Sequence, residues 1–466
     1  MVNVFLAALS GILLWAGFAP IENFVAPFVG IALLFRTLID KDLRDRFLIS
    51  SVAGLSFFLP LLHWSSVYVG SIPWLVLAIG ESALFSLIGF FRLQRRWESA
   101  LLSSALFTLI EIVRMKLPFG GFGWGRLGFT QLDSLSWLYP LIGVTGISLF
   151  VSGSGLFIVT KSKVKIVAFL FLLIFLGFEN FQKIDNEPES IQITAVQGGV
   201  DQLGLDFNNR AIRVLERHIE ATQLVPGTEL YVWPENAADV DPLKNQRANV
   251  LITNLIKGLQ KPLLIGAVEQ AKQGPVNTSL MFGADGELKS RYVKQDLAPF
   301  GEFMPLRQVA EVISPFAQQV RDFVPGTSWV RHSINGHPFQ ALICFEVLDD
   351  DHVRVATTGT TFLVAQTNNA TFGRSNEAAQ QLQITRSRAA ESGRDFVVVS
   401  TTGFTAHLDS RGKVVARAPQ FAAESLTMKV RLQEPSNETP AQKLNSGFWA
   451  LILALMMGLS RWRLNR

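Results

Sequence analysis

The chain is poor in the residues that usually announce a function. It has one cysteine, Cys344, in 466 residues. A lone thiol cannot form an intramolecular disulfide, so the fold makes no demand for an oxidising compartment. It also excludes cysteine-based zinc and iron–sulfur sites, which need several thiolates. The six histidines are scattered. None is assigned to a metal, and His63 and His218 read as structural or exposed. The formal charge of +4 is too small to argue for nucleic acid. No P-loop, Gly-x-Ser-x-Gly or His-Glu-x-x-His pattern occurs, and repeats and low-complexity tracts are absent. One Gly-x-Gly-x-x-Gly match runs from Gly123 to Gly128. It lies between apolar runs, outside any βαβ unit, and reads as a turn or an interfacial aromatic loop rather than a dinucleotide site.

What is abundant is apolar surface. There are 36 Phe, and the mean hydropathy is +0.29. The excess sits in roughly the first 180 residues and in one stretch near the end. Runs near membrane-spanning length cover about Val2–Pro20, Phe24–Ile39, Phe47–Val69, Trp74–Leu93, Ala100–Val113, Trp137–Val159 and Val164–Phe178, with an eighth at about Phe448–Leu459. The first run has no Lys or Arg before it and is followed at once by similar runs, so it is expected to be retained rather than cleaved as a signal. Basic residues cluster after the second (Arg36, Lys41, Arg44, Arg46), fourth (Arg92, Arg95, Arg96), sixth (Lys161, Lys163, Lys165) and eighth runs (Arg461, Arg463, Arg466). The connections after the first and third carry none. Arg114, Lys116 and Arg126 make the fifth less clean. The positive-inside rule then places both termini in the cytoplasm and the segment between the seventh and eighth runs outside. Inside the runs, Glu81 and Glu111 are costly and suggest function by default. For Glu81 pairing within the bundle is slightly favoured. For Glu111 a local pair with Arg114, at i,i+3, weighs equally.

The outside segment has a different texture. Short β-like runs (Ile191–Gln197, Leu230–Trp233, Leu263–Val268, Ala341–Phe345, Thr361–Ala365, Phe396–Ser400) alternate with amphipathic helical patterns at Asn208–Gln223 and Arg374–Glu391. That alternation indicates an α/β layered domain. The polar stretch Gln433–Lys443 reads as a linker back to the apolar end. Three domains follow: 1–180 membrane helices, 181–446 the α/β domain, and 447–466 a last helix with a basic tail.

Three local features of the α/β domain carry possible chemistry. Glu235 follows a strand in Trp233-Pro234-Glu235-Asn236, and α/β sheets bind ligands at strand C-termini. Lys294 precedes Pro299-Phe300-Gly301-Glu302. Cys344 ends an apolar strand in Ile343-Cys344-Phe345-Glu346, close to Asp349–Asp351. Each alone has a plain alternative: a surface Glu in a turn, a solvated lysine, a buried small hydrophobe. Together they supply what acyl transfer requires. A thiol must lose its proton to attack an acyl carbon. A buried carboxylate can take that proton, and a fixed ammonium can stabilise the oxyanion.

In this order the motifs resemble the Glu–Lys–Cys triad of the nitrilase superfamily. Such a domain between membrane helices is similar to the apolipoprotein N-acyltransferase family, and the resemblance covers essentially the whole chain. Asn368-Asn369-Ala370-Thr371-Phe372-Gly373 and Gln383–Ala389 match further family patterns. Phe345 stands where many members have Tyr, and Thr371 where many have Trp; these departures leave the triad intact and bear on the acyl-chain or lipid pocket. The resemblance implies a nitrilase-like αββα sandwich inserted in a membrane domain of about eight helices. It implies a bacterial inner-membrane enzyme with its catalytic domain on the extracytoplasmic side, acting as a monomer without cofactor or metal. Cys344 would attack a phospholipid ester with Glu235 as base and Lys294 on the oxyanion, forming a thioester. The amino group of a diacylglyceryl-cysteine on an apolipoprotein would then take the acyl chain. Glu302 would hold the lysine, and Glu346 and Phe345 would belong to the surrounding site. A membrane-tethered amidase passing the acyl group to water would use the same triad, and a non-enzymatic scaffold would need none of it. The segments Phe300–Pro305 and Phe372–Gly373 are the candidates for a lid.

Overall fold

A computed structural model describes residues 2–68, 70–159, 189–200, 203–204, 212–313 and 315–464. It divides into two units, residues 1–185 with 439–466, and residues 186–438.

In the second unit the alternating strands and helices build two sheets. The first contains β1 (Ser190–Gln197), β2 (Leu230–Val232), β3 (Leu263–Gln270), β4 (Pro275–Phe282) and β5 (Leu288–Val293). The second contains β6 (His332–Ile334), β7 (His337–Ile343), β8 (Phe362–Thr367), β9 (Phe396–Ser400), β10 (Ala406–Leu408) and β11 (Val414–Arg417). The last strand, β12 (Glu424–Arg431), returns to flank β1, so the first sheet has the order β12-β1-β2-β3-β4-β5 and the second β11-β10-β9-β8-β7-β6. The middle of each sheet is parallel: β1, β2 and β3 in one, β7, β8 and β9 in the other. These strands are buried along nearly their whole length, as parallel strands covered on both faces must be. The flanking strands are antiparallel.

Ile193, Val232 and Leu264 from the first sheet meet Phe339, Val364 and Val399 from the second in one core. The opposite face of the first sheet is packed with Leu215, Ile252 and Ile256 from the helices Arg213–Ala221 and Gln246–Leu259. The helices Asp350–Thr357 and Glu377–Ser392 pack on β7 and β9. The result is the expected αββα order of layers.

Strand direction decides where the chemistry gathers. β2 and β3 run parallel, and two antiparallel steps through β4 give β5 the same direction. Glu235, just after β2, and Lys294, directly after β5, therefore leave the sheet at the same end. One difference from expectation concerns Cys344. The strand stops at Ile343, and Cys344 opens a 3-10 turn, Cys344–Leu348. Ile343 N–H is taken by Glu346 Oε2 at 2.7 Å, so it is not left for a continuing strand.

In the first unit the described helices are Val2–Trp15, Ala26–Leu38, Leu43–Leu61, Ser71–Ser86, Trp97–Lys116, Leu132–Leu135, Tyr139–Val159 and Ser446–Leu464. Each apolar run except Val164–Phe178, which lies outside the described residues, coincides with one of the longer helices. Among the described residues, Ser71–Phe90 and Leu132–Gly155 are long and apolar enough to cross a membrane by length and composition, and Val2–Trp15 and Ala26–Leu38 are shorter apolar helices. Arg114 does not pair locally with Glu111. Its Nε meets Glu81 in a buried ion pair between two helices, while Glu111 Oε1 accepts from Leu127 N at 2.8 Å. A second donor of Arg114, Nη2, is held on Trp124 O at 2.7 Å.

Candidate active site

The turn after β2 carries Glu235, and Asn236 behind it takes a left-handed φ of +57°. β3 passes so close beneath that a Cβ on Gly266 would lie 2.2 Å from Pro234 O and 2.7 Å from Glu235 Cα. Only glycine fits there. Both hydrogen bonds to Glu235 land on Oε1, from Asn277 Nδ2 at 2.7 Å and Lys294 Nζ at 3.4 Å. Lys294 is 1% exposed, and its ammonium sits 2.7 Å from Glu302 Oε2. Asn277 donates to Glu302 Oε1 as well, at 2.9 Å, so one amide holds both carboxylates. Ala298 N fixes the other oxygen of Glu302 at 2.8 Å.

Cys344 is half-buried and holds φ at +52°, a left-handed backbone that a residue with a Cβ rarely adopts. Glu346 holds that conformation in place. Its Oε2 takes Ile343 N, and its Oε1 accepts from Tyr292 OH at 2.7 Å and Gln295 N at 2.8 Å. The bond to Gln295 N ties the residue after Lys294 to the Cys344 turn. A second tie joins the turn of Glu235 to the same sheet: Gln366, the register partner of Ile343, donates to Trp233 O at 2.7 Å. Glu235, Lys294 and Cys344 thus meet at one place, with Glu302 and Glu346 beside them. Phe345 lies half-buried between Cys344 and Glu346.

Charge and burial oppose one another throughout. Burial pushes the Glu235 carboxyl up, the Lys294 ammonium pulls it down, and Glu302 raises it again; the net direction is upward. Burial works against the charge on Lys294, but Glu302 and Glu235 overcome it and hold the ammonium above its ordinary value. The Cys344 thiol is raised by burial and by Glu235, with Lys294 acting the other way. A thiol in these surroundings ionises only if its proton has a nearby acceptor. Burial also opposes the charge on Glu346, but His352, 3.2 Å away, holds its carboxylate below the ordinary range.

Sequence reasoning missed several of these residues. Tyr292 and Gln295 lay in plain view on either side of Lys294. Asn277, His352, Glu377 and Gln381 sit in stretches that carry no motif of their own, and only folding brings them to the site. Gln381 Nε2 lies 3.6 Å from Cys344 Sγ, and Asn369 links Gln381 to Glu377. Among the described residues no group of three or more His, Cys, Asp or Glu is arranged to hold a metal.

The double-sheet unit with this site defines a carbon–nitrogen hydrolase domain, and the family model described as "Carbon-nitrogen hydrolase" matches residues 192–436, more than half of the chain. A second, "Apolipoprotein N-acyltransferase N-terminal domain", matches residues 10–157. The apolipoprotein N-acyltransferase of Mycolicibacterium smegmatis is 30% identical over 93% of this chain and 80% of its own. That of Vibrio vulnificus is 26% identical over 99% and 97%. Among solved structures, a Saccharomyces cerevisiae member of branch 10 of the nitrilase superfamily matches 52% of this chain and 90% of its own at 19% identity, with a TM-score of 0.38. The chain belongs to the apolipoprotein N-acyltransferase family.

Proposed function

We propose that the protein N-acylates lipoproteins through a thioester on Cys344. The observation that carries this reading is the convergence of Glu235, Lys294 and Cys344 in a chain of this family. Glu235 takes the thiol proton on the oxygen that carries no hydrogen bond, Oε2. The thiolate attacks the ester carbonyl of a phospholipid, and the oxyanion that forms is stabilised by Lys294. As the intermediate collapses, the C–O bond breaks, Glu235 returns its proton to the leaving alkoxide, and a lysophospholipid departs. The amino group of a diacylglyceryl-cysteine then attacks the thioester. Glu235 removes its proton, an amide forms, and the thiolate is released and reprotonated. Glu302 keeps Lys294 charged and in place; Glu346 holds the backbone of the Cys344 turn.

Two lipidic substrates explain why the domain is joined to apolar helices. The same reading takes the apolar regions as about eight membrane spans, residues 1–180 and 447–466, in a bacterial inner membrane. Residues 181–446 face the extracytoplasmic side, as the alternation of basic clusters supports. The chain works as a monomer.

The test is mass spectrometry of full-length enzyme incubated with phospholipid and then with a diacylglyceryl peptide. An acyl adduct on Cys344 that passes to the peptide amine is expected. No adduct, together with wild-type transfer by Cys344→Ala, would sink the proposal. Release of free fatty acid with no N-acylated peptide would replace transferase by hydrolase.

A further inference from the structure

Glu377 is a buried carboxyl that the mechanism above does not use. It is the first residue of the helix Glu377–Ser392 and is 2% exposed. Its Oε2 accepts from Asn369 Nδ2 at 2.7 Å, and the same Nδ2 donates to Gln381 Oε1 at 2.9 Å. Gln381 in turn places its Nε2 3.6 Å from Cys344 Sγ. Asn369 is itself fixed: its Oδ1 accepts from Ser400 Oγ at 2.5 Å and from Thr367 Oγ1 at 3.1 Å. Gly403 leaves the room for this, since a Cβ there would lie 2.1 Å from Asn369 Oδ1. A continuous chain of side chains therefore runs from Glu377 to the sulfur.

We propose that Glu377 is a positioning residue of the Cys344 site that works as a neutral acid: through Asn369 and Gln381 it keeps the amide donor on Cys344 Sγ, and its ionisation withdraws thiolate from the reaction. This rests on the reading of Cys344 as the nucleophile. A helix N-terminus ordinarily favours a carboxylate. Here burial prevails, Asn369 pulls back only in part, Glu235 adds repulsion, and the carboxyl is pushed up to about 8. The groups acting on Glu377 are Asn369 and Glu235, and Glu377 in turn acts on Cys344. Lys294 and Glu302 are not among the groups acting on Glu377. Arg374, on the preceding loop, is stacked over the Phe421 ring at 4.3 Å. Among the described residues no cation is among the groups acting on Glu377.

The charge balance gives the consequence. Glu235 and Glu302 together already outweigh Lys294. A third carboxylate would oppose formation of the thiolate, and its effect on the thiol is in that direction. With Glu377 neutral, the thiolate that forms when the proton passes from Cys344 to Glu235 meets no repulsion from that side.

Because Cys344 is the only cysteine, alkylation by iodoacetamide reports on it alone. The experiment follows alkylation of full-length, detergent-solubilised protein against pH, comparing wild type with Glu377→Gln. The rates should agree within about twofold near pH 6.5. They should separate as pH rises through about 8, with the variant about three- to tenfold faster at about pH 9. The logarithm of the wild-type rate should bend near pH 8, and that of the variant should not. Superimposable or merely parallel profiles would overturn the proposal, since a structural role would lower all rates alike. If Glu377→Gln does not fold, a wild-type profile with no bend between about pH 7 and 9 overturns it equally. Acyl-adduct formation is read on the same samples. Loss of the adduct with the profile difference retained condemns the nucleophile reading; an adduct with superimposable profiles condemns this one.

Discussion

Both units of the molecule bury charge, and they do it differently. In the helical unit the buried Arg114–Glu81 pair is closed off. The Arg114 guanidinium meets Glu81 and Trp124 O and lies 4.4 Å over the Phe58 ring. Arg126 donates to Thr145 Oγ1 at 2.6 Å and stacks 5.6 Å from Phe129. Helices thereby gain fixed cross-links where apolar packing alone would be permissive. In the sandwich, Lys294 is also surrounded by carboxylates, but the set stays open on one side. Glu235 keeps Oε2 unbonded, and the half-buried thiol of Cys344 stands within range of all of them. A guanidinium paired with a carboxylate holds helices together, whereas a carboxylate oxygen left vacant beside a thiol can take its proton.

The largest effect that tests this contrast is on Glu235. Glu235→Gln keeps the shape and the hydrogen bond from Asn277 but cannot take a proton. Thioester formation should fall by roughly 10²- to 10⁴-fold, the usual worth of a general base, measured as the initial rate of adduct on Cys344. A rate within about threefold of wild type would mean that Oε2 is not the acceptor.

In the helical unit the corresponding change should act on stability and leave the chemistry alone. Glu81→Leu leaves Arg114 buried without its carboxylate, which costs about 3 kcal/mol, seen as a lower Tm of the full-length protein. The Cys344 alkylation rate of the folded fraction should stay within about twofold. A tenfold drop there would erase the distinction between the two networks.

Much of this contrast was legible in the chain before folding. Glu235 and Cys344 are legible because each stands at the end of an apolar strand in a local motif, and Lys294 because the motif Pro299-Phe300-Gly301-Glu302 follows it. The parallel strands β1, β2, β3, β7, β8 and β9 were found because burial on both faces leaves continuous apolar runs. β5, with its exposed Leu288 and Lys289, and β11, which alternates, gave no such run. Asn277 was invisible for a related reason. It lies on β4 and becomes a clamp only when the antiparallel pairing brings it beside Lys294 and Glu302. Glu111 misled because i,i+3 spacing shows which side chains can meet. It does not show which does meet, once a neighbouring helix offers Arg114 another carboxylate.

The smallest expected effect separates the site from its support. His352 is 8% exposed and sits between Glu346, at 3.2 Å, and Asp296, at 3.1 Å. Burial opposes its charge, yet Glu346 and Asp296 push its pKa from 6.5 up to about 10. A raised folded value means that the imidazolium contributes fully below about pH 6.5 and that this contribution is lost as pH climbs towards 10. Glu346 is held low, so it stays charged throughout that window. His352→Gln should therefore destabilise the protein by about 2 kcal/mol near pH 7. The Tm gap between variant and wild type should narrow as pH approaches 10, where the wild-type imidazole is itself losing its proton. The fully folded variant should keep a Cys344 alkylation rate within about threefold of wild type, because Ile343, Tyr292 and Gln295 still grip Glu346. A Tm gap that does not change with pH would show that His352 is held for its shape and not for its charge.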